Sequence, residues 1–388
     1  MNKKTSVFIL IFLVLFSCKL KNETAEINVE DIHNEEEKPK HYSLTLIAAG
    51  DNLFHETIIR THKENDTYNF SPIYTEIKSI VENADLAFIN QETVMGGERF
   101  GYSGYPTFNT PQSLAKTVAD TGFDIVNQAT NHSMDMGRDG LYAALNLWEK
   151  TEGITVIGAR KTGVSRRIAV KNNISLGFLS YTYGLNGFAL PAGEPNLVSL
   201  INKNKMTEEI KALRPLCDFL IVSMHWGEEY LLAEPGADQI ELARFLAGLD
   251  VDLIIGHHPH VLQRTETLIR PNGKKTLCFY SLGNFVSNQR EKERILGALM
   301  LVTFTKEGLV LLPYELSISN YAMIPVICHF ESNYKNTKVY PLYSYTQELL
   351  DKHLLLQFDK TMDMNFFYSV LTRLGTKMIM HDPFPVSN

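Results

Sequence analysis

Residues 252–263, DLIIGHHPHVLQ, set three histidines in four positions directly behind an apolar run. Imidazoles bind metals and carry protons, and an ordinary core strand needs neither. Pro259 has a fixed φ and presents His258 and His260 from a stiff backbone, while His257 reads as a neighbour. Other short apolar runs end in residues of the same kind: Asp51 after LTLIAAG, Glu92 after ADLAFINQ, Asn131-His132 after FDIVNQAT and His225 after DFLIVSM. Alone, each has a plain alternative. Asp51 reads equally as a turn residue, Glu92 as a cap, Asn131 as an Asx turn and His225 as a satisfied core histidine. Five in succession, all of metal-ligand type, point to a metal site.

Mixed carboxylate, amide and imidazole donors suit Mn²⁺, Fe²⁺ or Zn²⁺. They are too rich in nitrogen for Ca²⁺ and lack the thiolates of a structural zinc site. Asp51, Glu92, Asn131, His225, His258 and His260 are therefore expected to hold divalent ions, two of them, with Glu92 shared between them. Such a pair lowers the pKa of a bridging water and clamps an anionic substrate. His132 is then free to stabilise an oxyanion or protonate a leaving group. Asp135 is placed to orient it, or else caps the following helix.

These residues need strands to carry them. The six apolar runs 44–51, 84–92, 123–132, 218–226, 251–260 and 278–284 are continuous enough for strands buried on both faces. Helical segments alternate with them: SPIYTEIKSIVENA with Ser71 as cap and Pro72 in the first turn, TPQSLAKTVADTG, and PGADQIELARFLAGLD. The pattern predicts an α/β domain with ligands beyond the carboxyl ends of its strands. Two hairpins, turning at 171–173 and 306–308, predict a mixed sheet or two packed sheets. The domain is expected over 42–320, followed by a helical C-terminal extension over 321–388.

The first residues read as targeting. Lys3 and Lys4 precede an apolar run of ten residues, Val7–Phe16, whereas a spanning helix needs roughly 20. LFSC resembles a bacterial lipobox, which implies cleavage after residue 17 and lipidation of Cys18. Residues 18–41 are acidic and aperiodic, as expected of a tether holding the domain off a membrane. The net charge of −7 argues against nucleic acid as a partner. Beyond Cys18, Cys217, Cys278 and Cys328 are an odd set without CxxC spacing, so no disulfide framework is expected.

Taken in order, GDNLFH (50–55), INQETVMGG (89–97), SGYPTFNTP (103–111), ATNHSMDMGRDGL (129–141), LSYTYGLNG (179–187), VSMHWGEEY (222–230), GHHPHVLQ (256–263) and YSLGNFVSNQ (280–289) resemble the CapA family of poly-γ-glutamate capsule synthesis proteins, a branch of the calcineurin-like metallophosphoesterase superfamily. The resemblance implies a four-layer αββα sandwich of metallo-dependent phosphatase type. It maps Asp51, Asn131-His132, His225 and His258-x-His260 onto the superfamily's metal motifs, with Glu92 in place of the bridging aspartate. The first motif departs: Asp-x-His has become Asp51-Asn52-Leu53, leaving His55 as the nearest replacement. Gln91 stands where the family usually carries leucine.

Tyr181, Tyr183, Asn186, Trp226 and Glu229 fall in these motifs and are candidate substrate contacts, with packing around the metal loops as the alternative. The function so implied is that of an extracytoplasmic, membrane-anchored lipoprotein. It would help make, release or anchor poly-γ-glutamate or a related anionic polymer by hydrolysis or transfer at an amide or phosphoester, with a membrane polymer synthase as a candidate partner. Two alternatives stay open: a non-catalytic subunit that binds polymer or synthase, and a secreted metallophosphodiesterase.

Overall fold

The computed structural model describes residues 39–163, 167–309 and 312–384. The leader, Cys18 and the tether up to residue 38 lie outside the described residues. The described chain opens with β1 (Lys40–Asn52), α1 (Glu56–Thr61), a small ribbon of β2 (Lys63–Glu64) and β3 (Thr67–Tyr68), and α2 (Lys78–Glu82). It continues through β4 (Leu86–Gln91), α3 (Ser113–Asp120), β5 (Ile125–Asn127), α4 (Gly137–Lys150) and β6 (Thr155–Ile157). Next come β7 (Arg167–Lys171), β8 (Ile174–Thr182), α5 (Lys203–Leu213), β9 (Phe219–His225), α6 (Ala237–Ala247), β10 (Leu253–His257), β11 (Leu262–Ile269) and β12 (Lys275–Leu282). The last run holds β13 (Asn284–Val286), β14 (Leu296–Gly308), β15 (Glu315–His329), β16 (Lys338–Pro341), α7 (Gln347–Lys352) and α8 (Met364–Leu374).

Two mixed sheets result. The first has the order β16-β15-β14-β1-β4-β5-β6, with β13 paired to β1; the second has the order β11-β12-β10-β9-β8-β7. In each, the strands joined through helices are parallel and the hairpin pairs β14–β15, β11–β12 and β7–β8 are antiparallel, as is the long-range pair β1–β14.

Period-two alternation decides which side chains each face buries. From β1, Leu44, Leu46 and Ala48 enter one core, which also takes Phe219, Ile221, Leu253, Ile255, Leu277 and Phe279 from the second sheet. The two sheets thus share an inner core. The opposite face of β1, through Ile47 and Ala49, packs on helix residues Leu114, Val118 and Trp148. The opposite face of the second sheet, through Leu220, Val222, Met224 and Ile254, packs on Met206, Ile210, Ala243 and Leu246 of α5 and α6. Helices cover both outsides, in agreement with the expected α/β sandwich.

Three expectations need correction. Residue 320 is not a domain edge but lies inside β15, paired with Thr303 of β14. Residues 321–388 therefore begin as sheet, and among the described residues of this tail the α-helices are α7 and α8, with short 3-10 turns between them and before them. Leu350, Leu355, Phe367 and Leu371 of that tail enter the shared core. The hairpin does not turn at 306–308: Lys306 and Glu307 pair with Leu316 and Glu315. The segment 71–84 is not one helix either, but a 3-10 turn (Ser71–Tyr74) and the short α2. Ile73, Tyr74, Ile77, Ile80 and Val81 are all buried there, and docking them overrides helix continuity.

Candidate metal centre

The parallel strands of both sheets end at one place. β1 delivers Asp51, the residue after β4 is Glu92, and the turn beyond β5 carries Asn131 and His132. β9 ends in His225, and the turn after β10 carries His258 and His260. Register fixes this convergence: Asp51 pairs with Asn90, Asn90 with Asn127, and His225 with His257.

A buried chain of amides aims the first carboxylate. Ser180 Oγ donates to Asn127 Oδ1 (2.6 Å), Asn127 Nδ2 to Asn90 Oδ1 (2.7 Å), and Asn90 Nδ2 to Asp51 Oδ1 (2.8 Å). His260 Nδ1 lies 3.0 Å from both Asp51 Oδ2 and Asn284 Oδ1. That leaves His260 Nε2 facing Glu92 Oε1 at 3.7 Å. His225 Nε2 lies 3.8 Å from the same Glu92 oxygen and 2.9 Å from Asn131 Oδ1. The backbone at His258 and His260 is left-handed, φ 97° and 61°, a strain that non-glycine residues bear mainly at functional sites.

Both carboxylate oxygens of Glu92 are buried without a hydrogen-bond partner. Burial raises the Glu92 carboxyl well above its usual range, and Asp51 and Glu229 push the same way. Burial alone would raise Asp51 too, but contacts with His257 and His260 hold it well below the normal value. For His260, burial is outweighed by Glu92 and Asp51, which raise it to about 9. Unpaired buried carboxylate oxygens ringed by imidazoles are costly, and a divalent cation would satisfy them. The donor set fits. Two groups of ligand atoms lie within 4.8 Å of one another around Glu92: Glu92, His225 and His258, and Asp51, Glu92 and His260. Glu92 belongs to both, as a shared ligand must.

His132 Nδ1 lies 2.7 Å from Asp135 Oδ2, which also accepts from the Phe108 N–H at 2.7 Å. The Phe108 ring meets His132 edge-on at 4.6 Å. Asp135 therefore fixes the ring and its tautomer rather than capping α4, whose cap is Met136.

The candidate substrate contacts divide. The Tyr183 ring lies 4.6 Å from that of His258, tilted against it, and stays half exposed. Asn186 lies between Asn131 Nδ2 (3.1 Å) and His132 Nδ1 (3.3 Å). Tyr181 and Trp226 are corrected: both are buried in the outer core of the second sheet. Their polar atoms are taken, Tyr181 OH by Glu209 (2.7 Å) and Trp226 Nε1 by Tyr280 O (3.0 Å). Neither offers a ligand anything. Glu229 is exposed, with a carboxylate oxygen within 4.8 Å of ring nitrogens of His258 and His260.

The first-motif departure is a change of environment. Leu53, where the histidine would stand, is core. His55 turns Nδ1 to Leu53 O (3.2 Å) and its ring edge to Phe108, and it joins none of the ligand groups found among the described residues. Asn90, Asn127, Asn284 and Ser180, which orient the ligands, were not anticipated. Asn90, Ser180 and Asn284 do lie inside the family motifs INQETVMGG, LSYTYGLNG and YSLGNFVSNQ. His257, read as a bystander, stacks on Phe88 and sets Nδ1 3.6 Å from Asp51 Oδ1.

Residues 45–289 match the family model for the bacterial capsule synthesis protein PGA_cap. The chain belongs to this family. The PGA_cap match contains every proposed ligand and ends before β14. Among curated relatives, the PGA biosynthesis protein CapA of Bacillus subtilis (strain 168) is 32% identical over 204 residues, 51% of this chain and 52% of that protein. The capsule biosynthesis protein CapA of Bacillus anthracis is 27% identical over 305 residues, 74% of this chain and 70% of that protein. The chain thus spans about half the length of the first relative. Solved structures similar to this PGA_cap chain include the calcineurin-like phosphoesterase YfkN from Bacillus subtilis, at TM-score 0.44 and 14% identity, covering 86% of this chain and all of that one. The NAD nucleotidase NadN of Haemophilus influenzae has the same score and identity, covering 87% and 60%.

Proposed function

We propose that this PGA_cap-family chain is a metal-dependent hydrolase or transferase acting on an anionic capsule polymer, poly-γ-glutamate or a close relative. The observation that carries the reading is Glu92, whose two oxygens are buried and unpartnered and whose Oε1 faces both His225 and His260. Asp51, Glu92, Asn131, His225, His258 and His260 would hold two ions of the Mn, Fe or Zn type. When bound, such ions supply Lewis acidity and water of lowered pKa. The chain's own groups do the rest. Asp135 holds His132 through Nδ1, which leaves Nε2 to pass a proton to the leaving amine or alkoxide. Tyr183 and Asn186 border the cluster and would position the polymer. Lipidation at Cys18 and the acidic tether would place the domain outside the cell membrane, within reach of a polymer synthase.

Purified chain should be incubated with poly-γ-glutamate or bis-p-nitrophenyl phosphate in Mn²⁺, following new amines, chain length and nitrophenol. Metal-dependent shortening or transfer of the polymer, abolished in His132→Ala with metal content retained, is the expected result. Leu53 in place of the motif histidine favours a second reading, an accessory subunit that binds polymer without turnover. Metal-dependent polymer binding with no bond cleavage would establish that reading. Cleavage of the small phosphodiester alone would point to a secreted phosphodiesterase.

A further inference from the structure

The ion position beside Asp51 is short of a ligand from its own loop. Leu53 is 2% exposed and its N–H is spent on Val286 O at 2.8 Å. Asn52 turns away into Gln91 and Tyr74. Asp51, Glu92 and His260 remain, all approaching from the buried side.

One carboxylate approaches from the other side. Glu229, His258 and His260 form a further group whose ligand atoms lie within 4.8 Å of one another, and Glu229 is its exposed member. The loop that carries it is built into place. Trp226 Nε1 anchors its start on Tyr280 O (3.0 Å). Gly227 has φ +83°, and a Cβ there would lie 2.4 Å from the Gln239 side chain. Tyr230 N–H donates to Pro259 O at 2.8 Å, tying the residue after Glu229 to the His258-Pro259-His260 turn. The guanidinium of Arg294 lies 3.4 Å over the Tyr230 ring. Tyr230 also bears a left-handed backbone, φ 69°, beside those of His258 and His260. Strain on both sides of one contact marks a conformation held for use. His258 Nδ1 is buried with no hydrogen-bond partner.

Resting on the metal-centre reading above, we propose that Glu229 is a metal ligand on the solvent side of the cluster, sharing an ion with His260 or His258 and replacing the ligation that a histidine at position 53 would give. Glu92 closes the centre from within the fold and Glu229 closes it from outside. A ligand on an exposed loop can be displaced, so an incoming polymer carboxylate or phosphate can take its place without disturbing the buried ligands.

The full chain, stripped with chelator and reloaded, is titrated with Mn²⁺ alone. Bound metal is read by plasma mass spectrometry and affinity by chelator competition. Glu229→Ala and Glu229→Gln should weaken the least tightly held ion at least about tenfold, since loss even of outer groups costs 10–100-fold. The neighbouring exposed Glu228→Ala should match wild type. Thermal melts of the metal-free forms should coincide, because Glu229 is exposed. Wild-type Mn²⁺ binding with unchanged affinity in both Glu229 variants would overturn this inference and leave the centre intact. No Mn²⁺ binding by wild type would overturn the inference and the metal-centre reading together.

Discussion

Asn52 Nδ2 donates to Gln91 Oε1 at 2.7 Å, and Tyr74 OH donates to Asn52 Oδ1 at 2.8 Å. Asn52, which stands between Asp51 and the departing Leu53, and Gln91, which stands where the family usually carries leucine, are partners in one buried network. Gln91 also gives Nε2 to Thr93 O at 2.9 Å, so its amide is satisfied on both sides and points away from Glu92. A side chain that looks like a damaged ligand motif is instead a bolt between the ends of β1 and β4.

Gln91→Leu should therefore destabilise the fold while sparing metal. It strands the Asn52 amide in the core, at a cost of about 1–3 kcal/mol. Urea unfolding reads the loss, and metal content should match wild type. A variant of unchanged stability that had lost metal would place Gln91 in the site instead.

Asp135 acts through His132, so its effect should appear in turnover. With the polymer as substrate, Asp135→Asn is expected to lower kcat about a hundredfold or more with KM and bound metal little changed. The asparagine can still accept from Phe108 N–H, which keeps the loop in place. A change in KM alone would mean that the residue shapes binding.

The two sheets are linked at their far ends by Asp218, before β9, and Lys306 on β14, at 2.9 Å. Burial alone would raise the Asp218 carboxyl, but the Ser175 N–H and hydroxyl and the Lys306 ammonium outweigh it and hold it below its ordinary value. A carboxyl depressed in the folded state adds stability above its unfolded pKa, near 4, and that stability is lost as pH falls through the folded value. Asp218→Asn should thus be less stable than wild type at neutral pH, by about 1–2 kcal/mol, with the gap closing below about pH 4. A gap independent of pH would assign the effect to packing.

Ending the chain at residue 320 should abolish folding. The cut falls within β15 and removes Phe330, Leu355, Phe367 and Leu371 from the shared core. Such a truncation is expected to be insoluble or to lack a cooperative melt. A soluble, cooperatively melting fragment would restore the boundary at 320.

How much of this was legible in the sequence follows from what is local. Asp51, Glu92, His132, His225 and His258-x-His260 were readable because chemistry-bearing residues stood behind apolar runs, and parallel strands bring such ends together. Asn127, Asn284 and Ser180 were not, because a polar residue within or at the edge of a strand carries no sign of its partner on another strand or on the other sheet. Tyr181 and Trp226 misled because they neighbour site residues in sequence: Trp226 follows His225 directly yet sits in the outer core. The tail misled because the helix-like stretches QELLDKHLLLQF and NFFYSVLTRLG set its reading, whereas β15 and β16 carry its first part into the first sheet. α8 was legible because Asp363 caps Phe366 N–H at 2.6 Å and Gly375 ends the helix at φ 60°.

The most direct test of the central claim is the metal content of the full chain under metal-replete conditions, wild type against His258→Ala/His260→Ala. Near two equivalents of Mn, Fe or Zn in wild type, lost in the double variant, is the result expected from the ligand groups around Glu92. A folded wild-type chain that binds none would contradict it.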